Sequence, residues 1–218
     1  MNQVVSVQEL RTQLAARLQQ QQSSLPPPSS TRIKLTKEGL ELPTGARMAK
    51  ISAVVVDMVY INTWYNKRYI AGQVESPACW ALNANFAELA PDKSVEKPAH
   101  ATCEGCPNNE WDSGPGGRGK ACGNKVRLAI VTPDSTNESP VFTVDLPPTS
   151  QSGFVNLLRK LAVPIQSVVL SIEQDPKSEY PKLLFNTVGE ISPELAPHIM
   201  PLVEKAQENL NRGFNYDG

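Results

Sequence analysis

The chain has 218 residues, of which 40% are hydrophobic and 20% are charged, with 13 glycines and 19 prolines. This composition excludes a collagen-like or wholly disordered chain and fits one domain of ordinary size with some additional chain. The formal net charge is −1, so any binding to nucleic acid has to come from a local basic patch.

The sequence contains no segment that predicts a membrane span or a secretory signal. No apolar run approaches the roughly 18 residues that a span needs, and the N-terminus lacks a basic region followed by an apolar one. We therefore expect a cytoplasmic protein without membrane association. Cysteines in such a protein are metal ligands or thiols more often than disulfides.

Residues 1–30 form a segment of different composition. Apolar residues recur at helical spacing up to Leu18, followed by a run of four glutamines and a Pro/Ser-rich linker. An amphipathic helix with a linker is therefore predicted. Such a helix is either a dispensable tail or a device for self-association or partner docking.

The globular domain is expected over residues 31–192. Residues 50–70 are rich in β-branched and aromatic side chains and predict one or two strands. Residues 77–124 contain all four cysteines and little periodicity, which is typical of an insertion that lacks its own core and needs a cross-link. Residues 125–131 and 141–146 predict two further strands.

The remaining elements are two helices and a pair of strands. Phe154, Leu157, Leu158 and Leu161 share one helical face, and residues 166–173 and 182–188 predict a closing strand pair. A last helix is predicted from Pro193 or Pro197 to about Leu210, within an acidic C-terminal segment, residues 193–218. These elements indicate a mainly β, α+β chain that forms a small β-barrel with flanking helices.

The four cysteines are spaced as a metal site would require. They are Cys79, Cys103, Cys106 and Cys122, in the pattern C-x23-C-x2-C-x15-C. Two thiolates on the tight turn of Cys103–Cys106 can bind one tetrahedral ion, and the single cysteines can complete the tetrahedron. Structural zinc is the expected ion.

Other interpretations of the cysteines stay open at this point. They are four unrelated thiols, the ligands of an iron–sulfur cluster, or a redox dithiol at Cys103 and Cys106. His100 is a fifth candidate ligand, although four cysteines already suffice and we expect a surface histidine.

No catalytic constellation accompanies the cysteines. The chain has two histidines, no Gly-x-Ser-x-Gly motif, and a glycine-rich stretch whose spacing differs from that of a phosphate-binding loop. We therefore expect a protein that is not an enzyme.

Aromatic and basic residues occur together in two clusters. Rings that stack on bases and cations that follow phosphates are typical of single-stranded nucleic-acid binding; a packed core beside a solvated basic face is the alternative. The first cluster consists of Tyr60, Trp64, Tyr65, Lys67, Arg68 and Tyr69, and the second of Trp111, Arg118, Lys120, Lys125 and Arg127.

Several strings within residues 50–190 resemble a group of bacteriophage and mobile-element single-stranded-DNA-binding proteins. The strings are Pro77-Ala78-Cys79-Trp80, Cys103-Glu104-Gly105-Cys106-Pro107-Asn108-Asn109-Glu110-Trp111-Asp112-Ser113, Gly117-Arg118-Gly119-Lys120-Ala121-Cys122, Val126-Arg127-Leu128, Leu146-Pro147-Pro148-Thr149-Ser150 and Lys182-Leu183-Leu184-Phe185. The resemblance implies an OB-like barrel with a four-cysteine zinc insertion. It also implies a metal role for the four cysteines, and gives no map of the DNA contacts.

The expected function is binding of single-stranded DNA in phage-type DNA replication or recombination, without strong sequence preference. The expected location is then the host cell cytoplasm. The N-terminal helix or the acidic C-terminus is expected to mediate self-association or contact replication proteins. The alternative is a zinc-containing protein–protein adaptor or transcription cofactor of a phage.

Overall fold

The computed structural model describes residues 31–67 and 75–211, together with the single positions Gln8 and Leu14. The chain divides into two compact units, Met1–Ser30 and Thr31–Gly218, and the strands and helices given below belong to the second. The predicted N-terminal helix lies outside the described residues, as do Arg68, Tyr69 and the end of the chain after Asn211.

Nine strands and two helices make up the described part of this unit. In chain order they are β1 (Arg32–Thr36), β2 (Gly39–Glu41), β3 (Arg47–Met48), β4 (Lys50–Trp64), β5 (Cys79–Asn83), β6 (Gly123–Val131), β7 (Phe142–Leu146), α1 (Pro148–Lys160), β8 (Val168–Gln174), β9 (Leu183–Glu190) and α2 (Ile199–Leu210). The protein is therefore mainly β, as predicted, and in the described part no helix is long and apolar enough to cross a membrane.

The strands form one sheet in the order β3-β2-β1-β7-β6-β4-β8-β9, with β5 paired to β4. Neighbouring strands are antiparallel except for β1 and β7, which run parallel. The sheet curls but stays open, so the predicted barrel is a half-barrel. The predicted closing pair is confirmed as β8 and β9.

Strand β4 is the centre of the sheet. It has 15 residues, so the segment predicted as one or two strands is a single strand up to Trp64. One edge of β4 pairs with β6 from Val54 to Thr63; the other pairs with β8 near its start and with β5 near its end. A register shift between Val55 and Asp57 marks a bulge, which bends a strand and increases its twist.

Two apolar clusters lie on the two faces of the sheet. The inner cluster joins residues from strands at both ends of the sheet order, such as Leu40 and Leu183, around Phe154 of α1, which shows that the sheet curls around it. The outer cluster packs Leu202, Ala206 and Leu210 of α2 against β4 and β6. Alternate residues of β4 therefore belong to opposite clusters, as strand geometry requires.

Helix α1 bears out the predicted apolar face. Phe154 is fully buried, and Leu157, Leu158 and Leu161 pack against the inner cluster. Pro148 occupies the first turn, where its missing N–H is not needed, and Arg159 and Lys160 lie in the last turn, where cations are favourable. Helix α2 begins at Ile199, after a 3₁₀ turn at Ala196–His198, and ends at Leu210 as predicted.

Candidate metal centre and nucleic-acid surface

The end of β4 brings the two single cysteines to the same part of the sheet. Cys79 is the first residue of β5 and pairs with Trp64. On the other side of β4, Thr63 pairs with Gly123, the first residue of β6. Cys122 immediately precedes Gly123, so the two cysteines reach the end of β4 from the strands that flank it.

The Cys103–Cys106 turn is tied to this end of the sheet by backbone hydrogen bonds. The N–H of Cys103 donates to the carbonyl of Leu89 at 2.9 Å, and the N–H of Cys122 donates to the carbonyl of Asn108 at 2.7 Å. Gly105 has a φ of +71°, a left-handed conformation that glycine adopts without a steric cost. The spacing of two residues therefore forms the tight turn that the sequence predicts.

All four cysteines are half-buried free thiols that line one small cavity. The cavity has a volume of about 20 Å³, which is room for about one water molecule. Within residues 31–67 and 75–211, however, no three cysteine, histidine or carboxylate side chains stand close enough to hold a metal ion as arranged. The thiols thus share a cavity without forming a closed ligand set.

The thiols influence one another electrostatically. Burial raises the pKa of the Cys79, Cys103 and Cys122 thiols, and the charge of neighbouring thiolates raises it further. For Cys122 these effects raise the pKa to about 12, although Lys120 lowers it slightly. In the absence of a cation these three thiols therefore favour the protonated form.

His100 lies beside the cysteines but is engaged elsewhere. Its ring lines the same cavity, and its Nδ1 lies 3.3 Å from the N–H of Thr102, which donates to it. The residue as a whole is exposed, as expected for a surface histidine.

The sequence interpretation missed three asparagines at this site. Asn62, Asn108 and Asn109 line the cavity together with the cysteines, and Asn62 is buried at 3% exposure. A signal was present, because Asn62 interrupts a long β-branched and apolar segment at a position where a polar group needs a partner.

The first aromatic and basic cluster is divided by the structure. Tyr60 is half-buried, and its ring packs edge-on against Phe86 with the centroids 5.3 Å apart. Trp64 lines the cysteine cavity. Tyr65 is 43% exposed, and Lys67 is exposed and forms an ion pair with Glu75 at 3.3 Å.

Part of the second cluster is carried by the segment between Cys106 and Cys122. Trp111 is 75% exposed, and Arg118 is also exposed. Lys120 is half-buried, and its Nζ donates to Oδ1 of Asn109 at 3.4 Å. Gly114 allows the close return of this segment, because a Cβ there would overlap the carbonyl oxygen of Arg118.

Lys125 and Arg127 face the other side of the sheet. They pair with Ile61 and Val59, which belong to the outer cluster under α2. The neighbouring residues of β6, Val126 and Leu128, belong to the inner cluster. Arg127 is buried, and its Nε donates to Oδ1 of Asp145 at 2.7 Å. Burial lowers the pKa of Lys125, and the nearby charges of Arg32 and Arg127 lower it further against the effect of Asp145. This placement puts both residues on the face that α2 covers, where Arg127 forms an internal ion pair with Asp145.

The comparisons with known proteins find no relative. No protein-family model matches the chain, and neither the curated proteins nor the solved structures contain a significant match.

Proposed function

We propose that this protein binds single-stranded DNA without catalysing a reaction, and that one structural zinc ion holds its cysteine segment. In this proposal the half-barrel is of the OB type. The observation that carries the proposal is the convergence of four free thiols on one cavity at the end of β4, in the same segment as the exposed Trp111.

The donor set and the cavity support zinc. Four thiolates are a ligand set that zinc binds in closed, tetrahedral structural sites, and the cavity has room for one small ion. The thiols would have to move closer together on binding and lose their protons. Metal binding of this kind contributes folding free energy to segments that lack a core of their own. Zinc would supply charge neutralisation and a cross-link here, and no reaction step.

The exposed rings and cations near the cysteines support nucleic-acid binding. Trp111 and Arg118 lie between Cys106 and Cys122, while Trp64 contacts the same cavity from the end of β4. Tyr65 and Lys67 follow directly in the chain. Exposed aromatic rings among cations suit base stacking and phosphate contact. The contact surface that we propose therefore consists of Trp64, Tyr65, Lys67, Trp111, Arg118 and Lys120.

The half-barrel supports an OB-type assignment. OB folds are small, partly open barrels of curved strands that use one face and adjacent loops to bind oligonucleotides. Here β4 is long and bent, and it exchanges one partner strand for another along one edge. The cysteine segment flanks the end of that strand.

Metal analysis of the purified protein tests the zinc part of the proposal. We expect about one zinc per chain and loss of that zinc in Cys106→Ser. His100→Ala is the matched control, because it changes a side chain at the same cavity, and we expect it to retain zinc. Visible absorbance from an iron–sulfur cluster, or unchanged zinc in Cys106→Ser, would contradict the proposed ligand set.

Fluorescence anisotropy with labelled oligo-dT and a duplex of equal length tests the DNA part. We expect binding to the single strand only, weakening as salt rises because phosphate contacts release counterions. Trp111→Ala should weaken binding by about 1–3 kcal/mol, roughly 5- to 150-fold. Tyr180→Ala is the control, because Tyr180 is 67% exposed but lies between β8 and β9. Absence of binding to both oligonucleotides would refute the proposal and favour the protein-adaptor alternative.

A further inference from the structure

Asn62 places a buried amide on the inner face of β4, which otherwise carries mainly apolar and aromatic side chains. It lies two residues from Tyr60 and two from Trp64, on the face that carries the cysteine cavity. Asn62 is only 3% exposed. A buried amide is destabilising by itself unless its oxygen and its N–H groups find hydrogen-bond partners.

The neighbours of Asn62 are another asparagine and a cysteine. Its Oδ1 accepts a hydrogen bond from Nδ2 of Asn124 at 2.7 Å. Asn62 and Cys103 line the same cavity; burial raises the pKa of the Cys103 thiol, and hydrogen bonding from the Asn62 side chain acts in the opposite direction. Because the oxygen of Asn62 faces Asn124, its Nδ2 is the group available to donate to the sulfur.

A chain of amides fixes this orientation. Nδ2 of Asn124 also donates to Oδ1 of Asn109 at 2.9 Å, and Nδ2 of Asn109 donates to the carbonyl of Cys103 at 2.9 Å. Asn124 thus presents its N–H groups to two oxygens, which forces both neighbouring amides to direct their own N–H groups toward Cys103. Asn109 thus holds the carbonyl of Cys103, and the Asn62 amide presents its N–H groups to the cavity that Cys103 lines.

We propose that Asn62 is a positioning residue of the metal centre, donating an N–H···S hydrogen bond to the metal-bound thiolate of Cys103. This inference rests on the proposed zinc site. Four thiolates around one Zn²⁺ carry a net charge of −2, and a fixed N–H donor stabilises that charge and orients the ligand. Groups that orient metal ligands in this way typically contribute about 10–100-fold to metal affinity.

Two variants of Asn62 separate the donor from the rest of the side chain. Asn62→Asp keeps the oxygen that accepts from Asn124 but places a carboxylate against the sulfur, and Asn62→Leu removes both groups at similar volume. In a zinc competition with a chelator, we expect both variants to bind zinc about 10–100-fold more weakly than the unchanged protein. With Co²⁺ in place of zinc, we also expect a shift of the sulfur-to-metal charge-transfer band.

Thr63→Val is the matched control. Thr63 is buried at 4% exposure in the adjacent position of the same strand, and its side chain points to the opposite face. We expect its zinc affinity and Co²⁺ spectrum to equal those of the unchanged protein. A comparable loss of affinity in Thr63→Val would indicate a general effect of β4 stability and would overturn the positioning role.

The unchanged protein provides a second test that does not depend on the folding of any variant. In the protein loaded with ¹¹³Cd, a through-bond coupling between the metal and an Asn62 side-chain amide proton is expected, because the N–H···S–Cd path connects them. Absence of that coupling in a protein that binds one cadmium would overturn the role of Asn62 while leaving the metal site intact. Failure to bind any metal would overturn the proposed zinc site itself.

Discussion

Substituting Asp145 by Asn should destabilise the fold strongly, because this buried carboxylate neutralises a group of cations that includes the buried Arg127. The Asp145 side chain is 7% exposed and pairs with Arg127, which is 9% exposed, and with Arg32. Asn has nearly the same shape but no charge. It would remove the carboxylate that pairs with the buried Arg127 guanidinium, beside two other cations, Arg32 and Lys125.

The magnitude follows from the burial of the pair. Removing one partner of a buried ion pair costs about 3–5 kcal/mol, because the remaining charge is desolvated without compensation. We expect Asp145→Asn to lower the free energy of unfolding by that amount in urea titrations at pH 7, followed by circular dichroism. Arg127→Met combined with Asp145→Leu should recover much of the loss, since apolar replacement of both partners is often neutral.

The dependence on pH provides an independent check. Burial raises the pKa of Asp145, but its hydrogen bond with Arg127 and the charges of Arg127, Arg32 and Lys125 lower it more, so that the pKa lies below that of an ordinary aspartate. A carboxyl group with a lowered folded pKa stabilises the fold above its unfolded value, and that stability is lost as the pH falls through the folded value. Below about pH 4 the stability of the unchanged protein should therefore fall more steeply than that of Asp145→Asn.

Glu41→Gln is the matched control for Asp145. Glu41 also pairs with two cations, Lys34 and Arg47, but those side chains are 70% and 52% exposed. Exposed pairs contribute about 0–1 kcal/mol, so Glu41→Gln should change the stability by no more than that. If Asp145→Asn costs no more than Glu41→Gln, the argument from the buried ion pair is wrong.

Two further substitutions test local features of the fold and the site. Ser150→Ala should lower the free energy of unfolding, measured in urea, by about 1–3 kcal/mol, because Oγ of Ser150 accepts the buried N–H of Leu183 at 2.8 Å. Ser152→Ala, at an exposed neighbouring position, should leave that free energy nearly unchanged. Equal effects of the two substitutions would contradict this reasoning. Gly105→Ala should weaken zinc binding in a chelator competition, because the φ of +71° at this position is strained for residues with a Cβ. Gly153→Ala is the control, since a Cβ added at Gly153 would meet open space. Unchanged zinc affinity in Gly105→Ala would contradict the expectation.

Local periodicity predicted the strands and helices whose apolar residues alternate clearly. The strands from β6 onward and the face of α1 belong to this group. The strands β1, β2 and β3 were not predicted, because they are two to five residues long and contain charged residues. Strand β1 pairs with β7, which lies more than a hundred residues further along the chain, and β2 and β3 are added to the sheet through β1.

The cysteine spacing predicted which thiols come together, but the partner of Arg127 could not be predicted in the same way. A cation in a strand-forming segment is compatible with a solvated face, a DNA contact or a buried ion pair. The choice depends on the register that places Asp145 of β7 opposite Arg127 of β6. Register is set by long-range packing, and no local pattern in the sequence reveals it.

Zinc and single-stranded DNA should bind with positive coupling, since Trp111 and Arg118 lie in the segment that the cysteines enclose. Among the described residues, the loop backbone hydrogen bonds of residues 103–122 are internal to that segment, as from Cys122 to Asn108, except for the one that Cys103 donates to Leu89. DNA that stacks on Trp111 would therefore bind best when zinc orders this segment, and the same factor must then raise zinc affinity when DNA is bound. We expect removal of zinc by a chelator to weaken oligo-dT binding. Saturating oligo-dT should raise the zinc affinity, measured by competition with the chelator, by the same factor. The Trp111→Ala variant should show a smaller factor in both titrations. Equal DNA affinity with and without zinc would contradict the coupling and would locate the DNA-binding surface away from the cysteine segment.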